Sequence, residues 1–107
     1  MLLALVPLAA CSQPRDYGEA RALIASRCAA CHTVPGVPGA HGKVGPTLQG
    51  IAKRQVIAGK LPNTPANLRS FLEHPQAVEP GGAMPELGLT AQQAAAIAYY
   101  LYTLDKP

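Results

Sequence analysis

The run Cys28-Ala29-Ala30-Cys31-His32 constrains this chain more than any other stretch. Residues three apart on a helical turn share a face, so the two thiols can reach one ligand from one side. Three chemistries use such a pair. In c-type haem attachment the thiols bond the two vinyl groups of one porphyrin, and the histidine offers the iron a ring nitrogen. A thioredoxin-like redox pair wants a βαβ context, and a structural zinc site wants a second ligand pair. Neither companion is written in the sequence, so the rest of the chain has to supply the context.

At 107 residues there is room for one small domain. Eleven prolines and ten glycines make it rich in loops, which are hard to stabilise on side chains alone in a chain this short. A buried macrocycle relieves that difficulty by giving every segment an apolar body to pack against. A net charge of +3 with 14% charged residues makes no electrostatic case for nucleic acid. Three cysteines would leave one thiol over in a disulfide framework. Haem takes two and leaves Cys11 to be explained separately.

Residues 1–10, MLLALVPLAA, are apolar and stop at Cys11. Ten residues are too few to span a bilayer and suit the apolar core of a secretory signal. Leu8-Ala9-Ala10-Cys11 resembles the lipobox of bacterial lipoproteins, in which cleavage precedes the cysteine and its sulfur carries a diacylglycerol. One departure is that no Lys or Arg precedes the apolar run. The expected organisation is a signal peptide over 1–10, truncated at its start, then a lipidated tether over 11–17 and a folded domain over 18–107. That arrangement puts the protein on the periplasmic side of a bacterial membrane, anchored through Cys11. An ordinary signal cut after Ala10, leaving a soluble periplasmic protein, is the alternative.

In the folded part, Asp16 and Glu19 have the spacing of a capping box. Ala20, Leu23, Ile24, Cys28 and Cys31 then fall on one side of a first helix, which is expected to carry the cysteines. Residues 32–50 are crowded with Gly and Pro and read as an irregular loop. A metal-bound histidine donates its other ring N–H to something fixed, and the Gly45-Pro46 turn offers a carbonyl that does not drift. Residues 51–61 carry no clear pattern. Thr64-Pro65 reads as an N-cap with proline at the first helical position, followed by an apolar stripe of Leu68, Phe71 and Leu72. That helix ends at His74, before Pro75. Residues 76–89 lack periodicity and hold Met84, the sole methionine beyond position 1. A thioether there has little helix face to fill, whereas it is a soft iron ligand. Thr90 and Gln93 form a second capping box, and Ile97, Tyr100, Leu101 and Leu104 mark a final helix.

Cys28-x-x-Cys31-His32, Gly45-Pro46 and Pro80-Gly81-Gly82-Ala83-Met84-Pro85 occur in the order found in the class I cytochrome c family, which this chain resembles over residues 18 to 105. The resemblance implies an all-α cytochrome c fold of three to four helices and Gly/Pro-rich loops around one covalent haem c. It implies attachment through Cys28 and Cys31, axial ligation by His32 and Met84, and a proton from His32 held by the Pro46 carbonyl. Arg54 stands where many members keep an arginine near a propionate. The pattern also departs from the family, because no Trp or Tyr occurs between His32 and Leu68. Asn63 and Thr64 are then the candidates for the polar end of the haem pocket. Arg27 and Lys43 match positions of the family's basic ring around the haem edge. His41 and His74 are read as solvent-facing or locally bonded.

With both axial positions filled there is no exchangeable site for a substrate, so the expected role is a single-electron carrier and not an enzyme. Leu61-Pro62-Asn63-Thr64-Pro65 with Pro80-Gly81 and Met84-Pro85 is also similar to the cytochrome c domains fused to subunit II of bacterial haem-copper oxidases. That likeness implies a terminal oxidase as acceptor, with a quinol-oxidising complex or another cytochrome as donor. Two other classes stay open: the haem subunit of a periplasmic dehydrogenase, and a haem sensor or peroxidase if Met84 is not bound.

Overall fold

The computed structural model describes residues 17–107. In chain order these form α1 (Gly18–Arg27), a 3₁₀ turn (Ile51–Lys53), a hairpin of β1 (Val56–Ile57) and β2 (Leu61–Pro62), α2 (Pro65–Glu73), α3 (Pro75–Val78) and α4 (Ala91–Leu101). The signal segment, Cys11 and nearly all of the tether lie outside the described residues.

Local chemistry sets most helix limits. Thr90 Oγ1 accepts the Gln93 N–H at 3.1 Å, and Gln93 Oε1 accepts the Thr90 N–H at 3.0 Å, the reciprocal box expected at the start of α4. Thr64 Oγ1 accepts the Asn67 N–H at 3.1 Å, with Pro65 at the first helical position of α2. The last turn of α2 closes with the His74 N–H on Ser70 O at 2.9 Å, and Pro75 immediately begins the short α3. That one-turn helix is an addition to the sequence reading, because four residues carry no detectable period.

The N-cap of α1 is Tyr17, whose own side chain makes no cap bond. Asp16, the proposed partner of Glu19, lies outside the described residues. Packing holds this end of the helix, with the Tyr17 ring edge-on to Tyr100 at 5.6 Å and tilted against Tyr99 at 5.9 Å. Arg21, one turn on, lies over the Tyr100 ring at 5.4 Å. The cysteines also sit just past the helix and not within it. Cys28 is the C-cap of α1, and Ile24 O accepts both the Cys28 N–H at 2.8 Å and the Ala29 N–H at 3.0 Å. Cys28 O then accepts from Cys31 at 3.1 Å and from His32 at 2.9 Å, so the pentapeptide is a turn with hydrogen bonds of its own.

The buried face of α1 (Ala20, Ile24) and that of α4 (Ala94, Ile97, Ala98, Leu101) belong to one apolar cluster, and Leu68 and Leu72 of α2 join it. Both α1 and α2 pack on α4. The Gly/Pro-rich segment is more ordered than its composition implies. Thr33 and His41 pair across an isolated antiparallel bridge, and Val34, Val37 and Ala40 between them are buried. Tyr100 of α4 fastens this loop by donating its hydroxyl to Pro35 O at 2.6 Å. Gly36 permits the approach: its φ is +80°, and a Cβ there would lie 2.3 Å from the Tyr100 hydroxyl oxygen.

Candidate cofactor site

A cavity of about 500 Å³ opens between the helices and the loops. Its size falls within the ~300–1,000 Å³ of ligand clefts, and its walls are mostly apolar. Ile24 of α1, Leu68 and Phe71 of α2 and Ile97 of α4 form the inner side. Cys28, Cys31, His32, Pro46, Arg54 and Met84 all line it as well, so six residues spread over 57 positions of sequence meet at one space.

His32 is held by its neighbours. Its Nδ1–H donates to Pro46 O at 2.6 Å. A carbonyl oxygen can only accept, so Nδ1 carries a proton and Nε2 is the ring nitrogen left for a ligand. The loop carrying Pro46 is tied to the cysteine turn, with the Gly45 N–H on Cys31 O at 2.7 Å and the Gly42 N–H on His32 O at 3.1 Å. Gly45 is required for closeness: a Cβ there would stand 2.5 Å from His32 Cε1 and 2.9 Å from Nδ1. Gly42 is equally confined, since its Cβ would meet Cys31 C at 2.5 Å.

Arg54 reaches back to the same loop, donating through Nη2 to Thr47 O and to Gln49 O. These bonds involve one of the two terminal nitrogens, so other N–H donors of the guanidinium are left for an anionic group. Across the cavity, Met84 is half-buried against the core. Its loop is bound by Gln76, whose Nε2 donates to Met84 O at 2.7 Å and to Gly82 O at 2.9 Å. Arg27 Nη1 donates to Leu87 O at 2.6 Å and so ties the end of that loop to the residue just before Cys28.

Burial pushes the Cys28 thiol up to about 11, with Arg27 opposing the shift and Cys31 adding to it. A thiol held protonated at neutral pH is a poor redox nucleophile and a poor metal ligand, because both tasks need the thiolate. No cluster of three or more His, Cys, Asp or Glu that could hold a metal occurs among the described residues. Burial of Cys28 weighs against a dithiol pair, and a zinc site finds no further ligands among the described residues. A buried thiol beside a half-buried one, an imidazole whose Nδ1–H is committed to a carbonyl and a thioether around an apolar cavity are instead a donor set that fits an iron porphyrin.

Two expectations need correction. Asn63 and Thr64 are absent from the cavity lining. Asn63 instead bonds the backbone, with Nδ2 donating to Ile51 O at 2.9 Å and to Arg54 O at 2.8 Å. Its Oδ1 accepts the Tyr102 hydroxyl at 2.7 Å. Burial raises the Tyr102 phenol above its ordinary range, against a smaller opposing effect of Arg69. Thr64 is spent on capping α2. His41 and His74 are exposed and outside the lining, as expected of them. What the sequence concealed was the hairpin: Val56, Ile57, Ala58 and Gly59 form part of the cavity wall. Strands of two residues leave no alternation to detect.

Comparison with known proteins agrees with this geometry. The family model described as cytochrome c matches residues 18–105. A cytochrome c oxidase subunit 2 from Alkalihalophilus pseudofirmus is 33% identical over 78 residues, covering 72% of this chain. The chain spans about 22% of that relative's length.

Proposed function

This chain belongs to the cytochrome c family, whose haem c is bound covalently through cysteines spaced as Cys28 and Cys31 are, and on that premise we propose that it is a single-electron carrier of a bacterial respiratory chain. The bound haem supplies an iron that changes by one electron. His32 would hold the iron through Nε2, with the ring kept in register by its Nδ1–H bond to Pro46 O. Met84 lines the same cavity and would offer the iron its thioether, a soft donor that favours the reduced state. Arg54 offers its remaining donors to a propionate. The observation that carries this reading is the convergence of His32 and Met84 on one cavity. Two protein ligands leave no position for a substrate, which supports electron transfer over catalysis.

The likeness to an oxidase subunit supports a terminal haem-copper oxidase as the electron acceptor, approached through a brief, small contact. Residues 11–17, with an acyl group on Cys11, would act as a membrane tether. Among the described residues no helix is long and apolar enough to cross a membrane. Intact mass of the native protein tests haem attachment and acylation together. A mass equal to polypeptide plus haem plus diacylglycerol is expected, and loss of the pigment on acid–acetone treatment would overturn the assignment. Met84→Ala is expected to abolish the weak far-red methionine-to-iron band and to let the reduced protein bind carbon monoxide. An unchanged spectrum would leave the sensor or peroxidase reading standing.

A further inference from the structure

We propose that Gln76 is a positioning residue, a clamp that fixes the loop beneath Met84; the inference rests on the reading of Met84 as an axial ligand. Residues 79–90 lie between α3 and α4 and contain no helix or strand. A single local bond, the Gly82 N–H on Glu79 O at 3.0 Å, gives them some internal order. From outside, Arg27 holds Leu87 O near the loop's end, and Gln76 holds the part around Met84. It follows Pro75, which is fully buried, so it starts from a fixed point. Its Nε2 carries two hydrogens, and both are used, on Met84 O and Gly82 O. Its Oε1 accepts the Gly81 N–H at 3.1 Å, and its own backbone N–H goes to Glu86 Oε1 at 3.2 Å.

One side chain of fixed length therefore pins the loop at 81, 82 and 84, while the backbone of the same residue receives Glu86. A thioether is a neutral, weak donor, so its retention depends on how firmly the backbone under it is held. Without the clamp, Met84 would leave and return more often. The position of its sulfur would then be set by a loop anchored only beyond it, at Glu86 and Leu87.

The test uses the full-length holoprotein and its Gln76→Ala and Gln76→Glu variants. Glutamate keeps the length and the acceptor for Gly81 but at neutral pH offers no donor to the two carbonyls. The readouts are the far-red methionine-to-iron band and the rate at which added imidazole binds the ferric protein. Both variants should weaken the band and speed imidazole binding by about tenfold, equivalent to about 1.4 kcal/mol of loop anchoring. Wild-type rates in either variant would overturn the clamp. Tyr100→Phe removes a comparable hydrogen bond to Pro35 and serves as control; equal acceleration there would make the effect global and would also overturn it. Met84→Ala separates the two ideas, since a far-red band surviving in that variant refutes the ligation itself and not merely its support.

Discussion

Gly45 matters for the atom it lacks. Its φ is not in the left-handed region, so alanine would meet no backbone objection there. The objection is His32, whose Cε1, Nδ1 and Nε2 would lie 2.5, 2.9 and 3.0 Å from the new Cβ. Either the imidazole or the loop must shift, and the Nδ1–H bond to Pro46 O goes with it. Gly45→Ala should cost about 1–3 kcal/mol, the usual penalty of overpacking, and should perturb the haem spectrum. Urea unfolding of the holoprotein with its visible spectrum measures both, and wild-type values in each would refute the steric account. Residues of this kind were legible in the sequence. The chemistry of attachment fixes the spacing of Cys28, Cys31 and His32, and a Gly-Pro pair limits its own backbone. Gln76 and Asn63 were not legible as clamps. Their partners lie 5–8 and 9–39 residues away, and an amide side chain carries no sign of which carbonyl it will meet.

At the scale of elements, the β1–β2 hairpin closes one stretch of the cavity wall with two short strands and a tight turn. Its turn places Ala58 at φ +52° and Gly59 at φ +71°, with the Lys60 N–H on Ile57 O at 3.1 Å. Alanine in that region already bears strain of roughly 1 kcal/mol, and a β-branched residue bears more. Ala58→Val should therefore destabilise the holoprotein by about 1–2 kcal/mol, whereas Ala58→Gly should not destabilise it. Chemical denaturation of the two variants decides the matter, and equal stabilities would mean that the turn relaxes. The helices behaved differently. Starts set by Thr64 and Thr90 matched the sequence reading because a cap is a local bond. At the described start of α1 Tyr17 is held by rings on α4, a contact that exists only after folding.

For the molecule as a whole, the cofactor site and the hydrophobic core share residues. Ile24, Leu68, Leu72, Ile97 and Leu101 are buried in the core cluster and also line the cavity. A cleft of about 500 Å³ left unfilled deprives these side chains of packing partners on one side. The haem-free chain, obtained as a Cys28→Ala, Cys31→Ala double variant lacking attachment, should consequently lose fixed packing. Near-ultraviolet circular dichroism should be absent and urea unfolding broad. A cooperative unfolding transition in that variant would show that the helices are self-sufficient.

The sequence by itself determined the chemistry. Two thiols and an imidazole in five residues, a Gly-Pro turn and one methionine in a proline-rich loop are choices of atom type and local spacing, and both are written directly in the chain. Tertiary structure decided how those atoms are held: which amide grips the methionine loop, which hairpin closes the wall, and that Asn63 braces backbone and does not face the cofactor. The physical reason is range. Caps, turns and motif spacing depend on bonds within a few residues, whereas a clamp between distant segments exists only once helix packing has brought donor and acceptor within 3 Å.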